Sequence, residues 1–553
     1  MAPGRRAGVG RVRAGGAWRD SPRARRRAGR AAGRAAAACG RRHRRLQERG
    51  HRPGGRRAGA PGGTPAGRLL MRAVALLISL ALAGCASWRA PVTQPADLPE
   101  PVLAALRASG LPASSVGVVA RPLDGSASGL AIRADDAMAP GSTMKLVTAV
   151  VSLDVLGINH RGQTELLAAA PPQDGVIAGP LILRGGADPD LDWPALWWLL
   201  RQLRESGVRE IRGGLQVDRS LFSPERPDLG VPPFDEAPEF PYNVIPDALQ
   251  LNGSLLDYEL SADGERVSAR SLPALPELRI DASAMQVVDG RCADWDNGWK
   301  PAQLLPERTA DGDGWRLQLQ GSFPRHCQRR AALQLLDRQW LASHMLRRFW
   351  TELGGVIGPA DVQGPAPAGA VVLATHRGRP LAELLRPVLK SSDNAQTRLV
   401  FLQLGAQAAQ PGEPTLAAAD RRVREWLAAH QLDARGLVLD NGSGLSRSER
   451  ISPALMAGLL RVAQAGRQAP ELQQALPIAG VDGTMGRRLK TSPAAGLARL
   501  KTGTLRDAIG LAGYVPDAAG RVWVFAAFVN DPQAAAKARP VLDALVDWVA
   551  QQR

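Results

Sequence analysis

The chain has 553 residues and a formal net charge of +18. Residues 1–70 hold 20 of the 70 lysines and arginines against only Asp20 and Glu48, so the other 483 residues carry 50 basic and 50 acidic groups and no net charge. That balance excludes a global basic field and with it nucleic acid as a partner, and the length predicts two or three domains.

Residues 1–70 are rich in Arg, Gly and Ala and show no apolar periodicity. They cannot bury a core and read as a disordered basic segment upstream of the true start, because Met71 opens a more orderly stretch. Arg72 precedes an apolar run of about ten residues, the length of a signal-peptide core and too short to span a bilayer. The run ends in L-A-G-C, Leu82 to Cys85, which resembles a bacterial lipobox. On that resemblance residues 71–85 are a lipoprotein signal peptide, cut before Cys85 after lipidation of its thiol. Ala86 follows, which favours the outer membrane by the same resemblance. The chain is then exported and periplasmic, and meets a membrane only through this anchor. Residues 86–100 are Pro-rich and read as a linker.

The spacing predicts a helix over Pro99 to Gly110, with Val102, Leu103 and Leu106 as its apolar stripe. Two strands follow, S-S-V-G-V-V-A and G-L-A-I-R-A, around the turn Asp124 to Ser126. Pro140 and Gly141 then open a helix ending at Gly157 that is apolar nearly all round, so it is expected at the centre of the fold. From about 160 to 372 short β-like stretches alternate with Pro and Gly turns, with helical stretches near Trp193 to Ser206 and Leu336 to Leu353. This is too much structure for a loop. It reads as one or two inserted domains, mostly β. Cys292 and Cys327 lie inside it, and an even pair in an exported protein reads as a disulfide closing a loop of about 35 residues. Beyond the helical L-A-E-L-L-R-P-V-L-K, three strands near the C-terminus (L-A-R-L-K-T-G-T-L, A-I-G-L-A-G-Y-V, R-V-W-V-F-A-A-F-V-N) lead into a closing helix from about Pro532. The fold class is therefore α+β: an antiparallel sheet flanked by helices, built from residues 101–159 and 373–553, with the insert at 160–372.

Three strings carry chemistry: S-T-M-K (Ser142 to Lys145), S-D-N (Ser392 to Asn394) and K-T-G (Lys501 to Gly503). Ser142 and Lys145 are three apart and share a helix face. A serine hydroxyl needs a base, and a lysine serves only if burial or a nearby cation lowers its pKa. Lys501 is the candidate for that cation. The chain has only six lysines, and two fall in these strings. Ser392 can relay a proton to a leaving amine, and the Asn394 amide can hold Lys145 and a substrate carbonyl at once; S-D-N is equally good helix-cap material. Thr502, Gly503 and Thr504 sit on a strand that can take a substrate backbone beside it, with the N–H groups of Ser142 and Thr504 as an oxyanion hole. The histidines are scattered with no motif around any, and Ser443 lacks the first Gly of a G-x-S-x-G elbow. No phosphate loop and no metal-ligand string appears, so no metal is expected.

The three strings occur together in penicillin-binding proteins and class A β-lactamases. With G-G-A-D-P-D-L (Gly185 to Leu191), D-N-G-S-G-L-S-R (Asp440 to Arg447), G-V-D-G-T-M (Gly480 to Met485) and G-L-A-G-Y-V (Gly510 to Val515), the chain resembles the D-alanyl-D-alanine carboxypeptidase/endopeptidases of peptidase family S13. The long insert separates that family from compact β-lactamases, while Thr504 stands where Ser is common and the lipobox is not typical. The resemblance implies a β-lactamase/transpeptidase-like catalytic domain. Its substrates are peptidoglycan stem peptides and cross-links, cleaved through an acyl-enzyme on Ser142. β-Lactams act as inhibitors, and no cofactor is needed. Lys145, Ser392, Asn394 and Lys501 complete the catalytic set, and Thr502, Gly503 and Thr504 bind substrate. A catalytically silent peptidoglycan-binding module and a β-lactamase are the alternatives.

Overall fold

The computed structural model describes residues 97–553 except 233, 235–236 and 310–311. The expectations for residues 1–70, the signal peptide over 71–85, Cys85 and most of the linker lie outside the described residues.

Two stretches far apart in sequence build one sheet. Strands β1 (Val116–Pro122) and β2 (Leu130–Ile132) come from the N-terminal stretch, and β3 (Arg499–Leu505), β4 (Ala508–Pro516) and β5 (Val522–Asn530) from the C-terminal one. They align antiparallel in the order β3-β4-β5-β1-β2. The central strands are buried on both faces. In β4, Ile509, Leu511 and Val515 pack on one side with Val102 and Leu106 of helix α1 (Glu100–Ser109) and with Val541, Leu542 and Leu545 of the closing helix. Ala512 and Tyr514 pack on the other side against Leu146, Val147 and Val150 of α2 (Lys145–Val155). Period-two alternation thus serves two apolar layers at once.

Four more helices surround α2: α3 (Leu381–Ser391), α4 (Asn394–Ala408), α5 (Thr415–Ala429) and α6 (Pro453–Ala465). As its composition requires, α2 is buried on every side from Lys145 to Leu153. The closing helix, α7 (Arg539–Ala550), starts later than expected. Pro540 is the reason: it fits the first turn of a helix and not the interior, so a separate short turn, Ala534–Lys537, precedes it.

The insert has its own apolar core, from Leu166 to Ala374. One five-stranded mixed sheet runs Asp361–Gln363, Leu215–Asp218, Leu181–Gly186, Gln163–Ala168, Val371–Arg377, and helices Trp193–Glu205 and Arg338–Glu352 belong to the same core. Further strands between Leu256 and Leu333 form two smaller sheets. The strand Val371–Arg377 runs across the expected boundary at 372–373 and pairs with Gln163–Ala168, so the chain leaves the insert sheet only after Arg377. A disulfide joins Cys292 to Cys327, with Cα atoms 5.2 Å apart.

Candidate active site

Ser142 lies in a 3-10 turn, Gly141–Met144, that leads directly into α2. Gly141 has φ +52, a conformation that favours glycine. The turn presses against β3: a Cβ on Gly503 would lie 2.2 Å from the Pro140 carbonyl oxygen and 2.9 Å from the Ser142 nitrogen, and one on Gly141 would lie 2.8 Å from the Thr504 nitrogen. Only glycines allow this approach. It brings the Ser142 segment and the backbone of Gly503 and Thr504 into close contact, as the oxyanion hole expected from the Ser142 and Thr504 N–H groups requires.

Lys145 follows one turn on and is fully buried. Its Nζ lies 3.1 Å from Ser142 Oγ, 2.6 Å from Asn394 Oδ1 and 2.6 Å from the Ser443 carbonyl oxygen. A neutral amine has two hydrogens and one lone pair. Donation to the two carbonyl-type oxygens, neither of which can give a proton, leaves the lone pair for the Ser142 hydroxyl. Burial pushes the Lys145 pKa down to about 7; Asp393 and Glu449 oppose that and Arg398 adds to it. A buried amine that is neutral near pH 7 is a competent general base.

The S-D-N string is a helix–helix corner. Ser392 ends α3 in the left-handed region with φ +63, and Asp393 caps α4 by accepting the Gln396 N–H at 3.0 Å. Asp393 thus fills the cap role, which leaves Ser392 and Asn394 to face the cleft. Asn394 Nδ2 donates to the Tyr242 carbonyl oxygen at 3.1 Å, so the insert braces this amide directly. The second hydrogen of the same amide remains available to a ligand.

Leu500 packs in the α1/α7 core, so alternation along β3 turns Lys501 to the α2 side. Lys501 is fully buried and donates to Ser392 Oγ at 2.9 Å and to its neighbour's Thr502 carbonyl at 2.7 Å. Burial first, and the Lys145 charge second, hold its pKa well below the ordinary lysine value. The repulsion is mutual, so charge on either lysine disfavours charge on the other, in the sense expected of Lys501 from the sequence. Among the described residues no carboxylate partners Lys501; burial is the main cause of the Lys145 shift, and Arg398 adds to it. Thr502 Oγ1 donates to Thr484 Oγ1 at 2.8 Å, and Thr504 is exposed beside it.

The structure therefore brings Ser142, Lys145, Ser392, Asn394 and Lys501 together through a chain of contacts, with Gly503 packed against the Ser142 turn and Thr502 and Thr504 flanking it in β3. Sequence reasoning passed over four participants: the carbonyls of Ser443 and Tyr242, the Thr484 hydroxyl and the Arg398 cation. D-N-G-S-G and G-V-D-G-T-M stood out only for their resemblance to the family, and a resemblance does not announce which carbonyl or hydroxyl a stretch will offer. Among the described residues no group of three or more His, Cys, Asp or Glu is arranged to hold a metal ion.

The chain is similar to known proteins over most of its described length. The model of the D-Ala-D-Ala carboxypeptidase 3 (S13) family matches residues 100–552. A D-alanyl-D-alanine carboxypeptidase of Actinomadura sp. (strain R39) is 31% identical over 394 residues, 69% of this chain and 72% of the relative. The D-alanyl-D-alanine carboxypeptidase DacB of Haemophilus influenzae is 29% identical over 402 residues, 71% of this chain and 80% of the relative. The crystal structure of penicillin binding protein 4 (dacB) from Haemophilus influenzae superposes with TM-score 0.67 at 26% identity, covering 82% of this chain and 99% of that one. That protein has also been solved in complex with a β-lactam, with TM-score 0.64 at 25% identity over the same shares of each chain.

Proposed function

The chain belongs to the D-Ala-D-Ala carboxypeptidase 3 (S13) family and is a carboxypeptidase hydrolase, and on that premise we propose a serine acyl-enzyme mechanism centred on Ser142. The substrate is a peptidoglycan stem peptide ending in D-Ala-D-Ala. Lys145 takes the Ser142 proton as Oγ attacks the carbonyl of the penultimate D-Ala. The oxyanion that forms accepts hydrogen bonds from the Ser142 and Thr504 N–H groups. As the C–N bond breaks, the proton on Lys145 passes through the Ser392 hydroxyl to the departing amine, and D-Ala leaves. Lys501 keeps the Ser392 hydroxyl oriented for this relay. Water then attacks the ester, Lys145 again accepting the proton, and the shortened peptide is released. Thr502 and Thr504 offer hydroxyls to the terminal carboxylate.

The same steps cleave a cross-link when the leaving amine belongs to a neighbouring stem peptide, so the reading includes endopeptidase activity. Penicillin enters the first half of the cycle, because its strained amide presents a carbonyl to Ser142. Export and lipidation at Cys85 rest on the sequence of residues 71–85; no described helix is long and apolar enough to cross a membrane.

The observation that carries the mechanism is the 3.1 Å contact between Ser142 Oγ and a buried Lys145 Nζ whose other two bonds go to oxygens that cannot donate. The test is to incubate the full chain with a stem pentapeptide and with a purified cross-linked dimer, and to follow free D-Ala and newly exposed amine. Both products are expected from the wild type and neither from Ser142→Ala. Release that survives in Ser142→Ala would refute the serine mechanism.

A further inference from the structure

The loop that presents the Ser443 carbonyl to Lys145 turns four of its backbone N–H groups toward one buried side chain. Glu449 is fully buried, and its Oε1 accepts the backbone N–H groups of Asp440 (3.3 Å), Asn441 (3.1 Å) and Gly442 (2.8 Å) while Oε2 accepts that of Gly444 (2.7 Å). Four main-chain donors converge on one carboxylate from one tight turn. The turn's acceptors face the opposite way: the Gly442 carbonyl takes the Thr148 hydroxyl at 2.7 Å, and the Ser443 carbonyl takes Lys145 at 2.6 Å. The turn has no slack, for a Cβ on Gly444 would meet the Gly141 carbonyl oxygen at 2.0 Å and one on Gly442 the Thr148 hydroxyl at 2.6 Å. The loop is thus clamped between Glu449 on one side and the Gly141–Lys145 segment on the other.

We propose that Glu449 is a positioning residue of the acylation step: its carboxylate fixes the 440–444 turn so that the Ser443 carbonyl holds one Lys145 hydrogen and leaves the amine lone pair on Ser142. The proposal rests on the acyl-enzyme reading given above and deepens it. Glutamate is needed because both of its oxygens accept. A glutamine would meet one set of N–H groups with its oxygen and the other with its own NH2, donor against donor. Glu449 also acts on Lys145 at a distance. The charged groups around them are Asp393 and Asp440, which are negative, Arg398, which is positive, and Lys501, whose ammonium form repels that of Lys145. Burial pushes the Glu449 carboxyl up, while four backbone N–H groups favour its carboxylate, which in turn favours the protonated form of Lys145. Removing its charge makes Lys145 easier to deprotonate.

The experiment measures acylation of the full chain by penicillin as a function of pH, separating the reversible complex from the covalent step, in wild type, Glu449→Gln and Glu449→Asp. Circular dichroism melts accompany each. Glu449→Gln is expected to bind penicillin reversibly within about threefold of wild type but to acylate about 100-fold more slowly at its plateau, the cost of a misplaced base. Its acidic limb is expected to move to lower pH, a displacement that a loosened fold does not produce. Glu449→Asp keeps the charge and shortens the reach, so it loses rate while the limb stays in place. The proposal is overturned if Glu449→Gln acylates at the wild-type rate with the wild-type limb. It is equally overturned if both variants melt, or lose binding and acylation in parallel, since the role is then structural. A wild type that takes no penicillin at all would refute the acyl-enzyme reading, a different result from any of these.

Discussion

Lys145 Nζ stands 2.6 Å from Asn394 Oδ1, a contact that joins α2 to the start of α4 across 249 positions of chain. Because the amide oxygen only accepts, it fixes the direction of the amine without adding charge. Asn394→Asp keeps the shape and adds a negative charge at the same spot. The added charge stabilises the ammonium form, so the acidic limb of penicillin acylation, expected near pH 7 in the wild type from the lowered Lys145 pKa, is expected to move to higher pH. Asn394→Ala removes the brace and is expected to lower the plateau about 100-fold. Stopped-flow acylation across pH 5 to about 10 distinguishes the two, and an unmoved limb in Asn394→Asp would contradict the assignment of Lys145 as base.

Lys145 is also a stability liability. Its pKa falls from 10.5 to about 7 on folding, so between those values the folded chain holds fewer protons than the unfolded one. Stability contributed through this group therefore rises with pH across that window and is flat below it. A shift of this size corresponds to a cost on the order of 5 kcal/mol at neutral pH. Lys145→Met, similar in volume, is expected to raise the melting temperature at pH 7 while greatly slowing acylation, and to flatten the rise in stability toward pH 10.5. Differential scanning calorimetry at several pH values measures both effects. Lys501 shifts in the same direction for the same reason.

Gly503 tests the oxyanion gap. A methyl group there meets the Pro140 oxygen at 2.2 Å, and backbone cannot yield as a side-chain tip can. Gly503→Ala is expected to force β3 away from the 3-10 turn, separating the Ser142 and Thr504 amides. Loss of one such donor costs about 100-fold or more in rate, so the variant is expected to fold, to melt a few degrees lower, and to fail in acylation. Retained acylation would mean that the two amides do not work together.

The disulfide serves the insert and not the site. Cys292→Ser with Cys327→Ser opens a loop whose ends are 35 residues apart in sequence, which the chain-entropy account values at about 3–4 kcal/mol. Neither cysteine lies in the core around α2. The double variant is therefore expected to melt earlier and yet to acylate at the wild-type rate while folded. A thermal melt beside a penicillin-labelling time course checks both.

The readability of this chain varied with the kind of signal. The sheet and its helices were legible because apolar alternation in A-I-G-L-A-G-Y-V and the all-round apolar run after Ser142 leave few other ways to bury them. The cleft was legible because its chemistry needs lysines, scarce here, at fixed spacing. The burial of Lys501 was not: how deeply a strand is covered is something only the packed structure reveals. The carbonyls of Ser443 and Tyr242 were invisible, since every residue has one. Glu449 is one acid among many in a polar loop, and its value comes entirely from four backbone N–H groups that turn toward it. The late start of α7 was readable in principle from Pro540 and was missed because the apolar stripe was followed without its break.

The central claim is that Ser142 is the atom that becomes acylated, with Lys145 as its base. The most direct measurement is peptide mapping by mass spectrometry after brief exposure of the full chain to benzylpenicillin. The account predicts a long-lived penicilloyl adduct on the peptide containing Ser142, absent in Ser142→Ala and greatly slowed in Lys145→Met. An adduct on any other residue, or one that forms unchanged in Ser142→Ala, would contradict it.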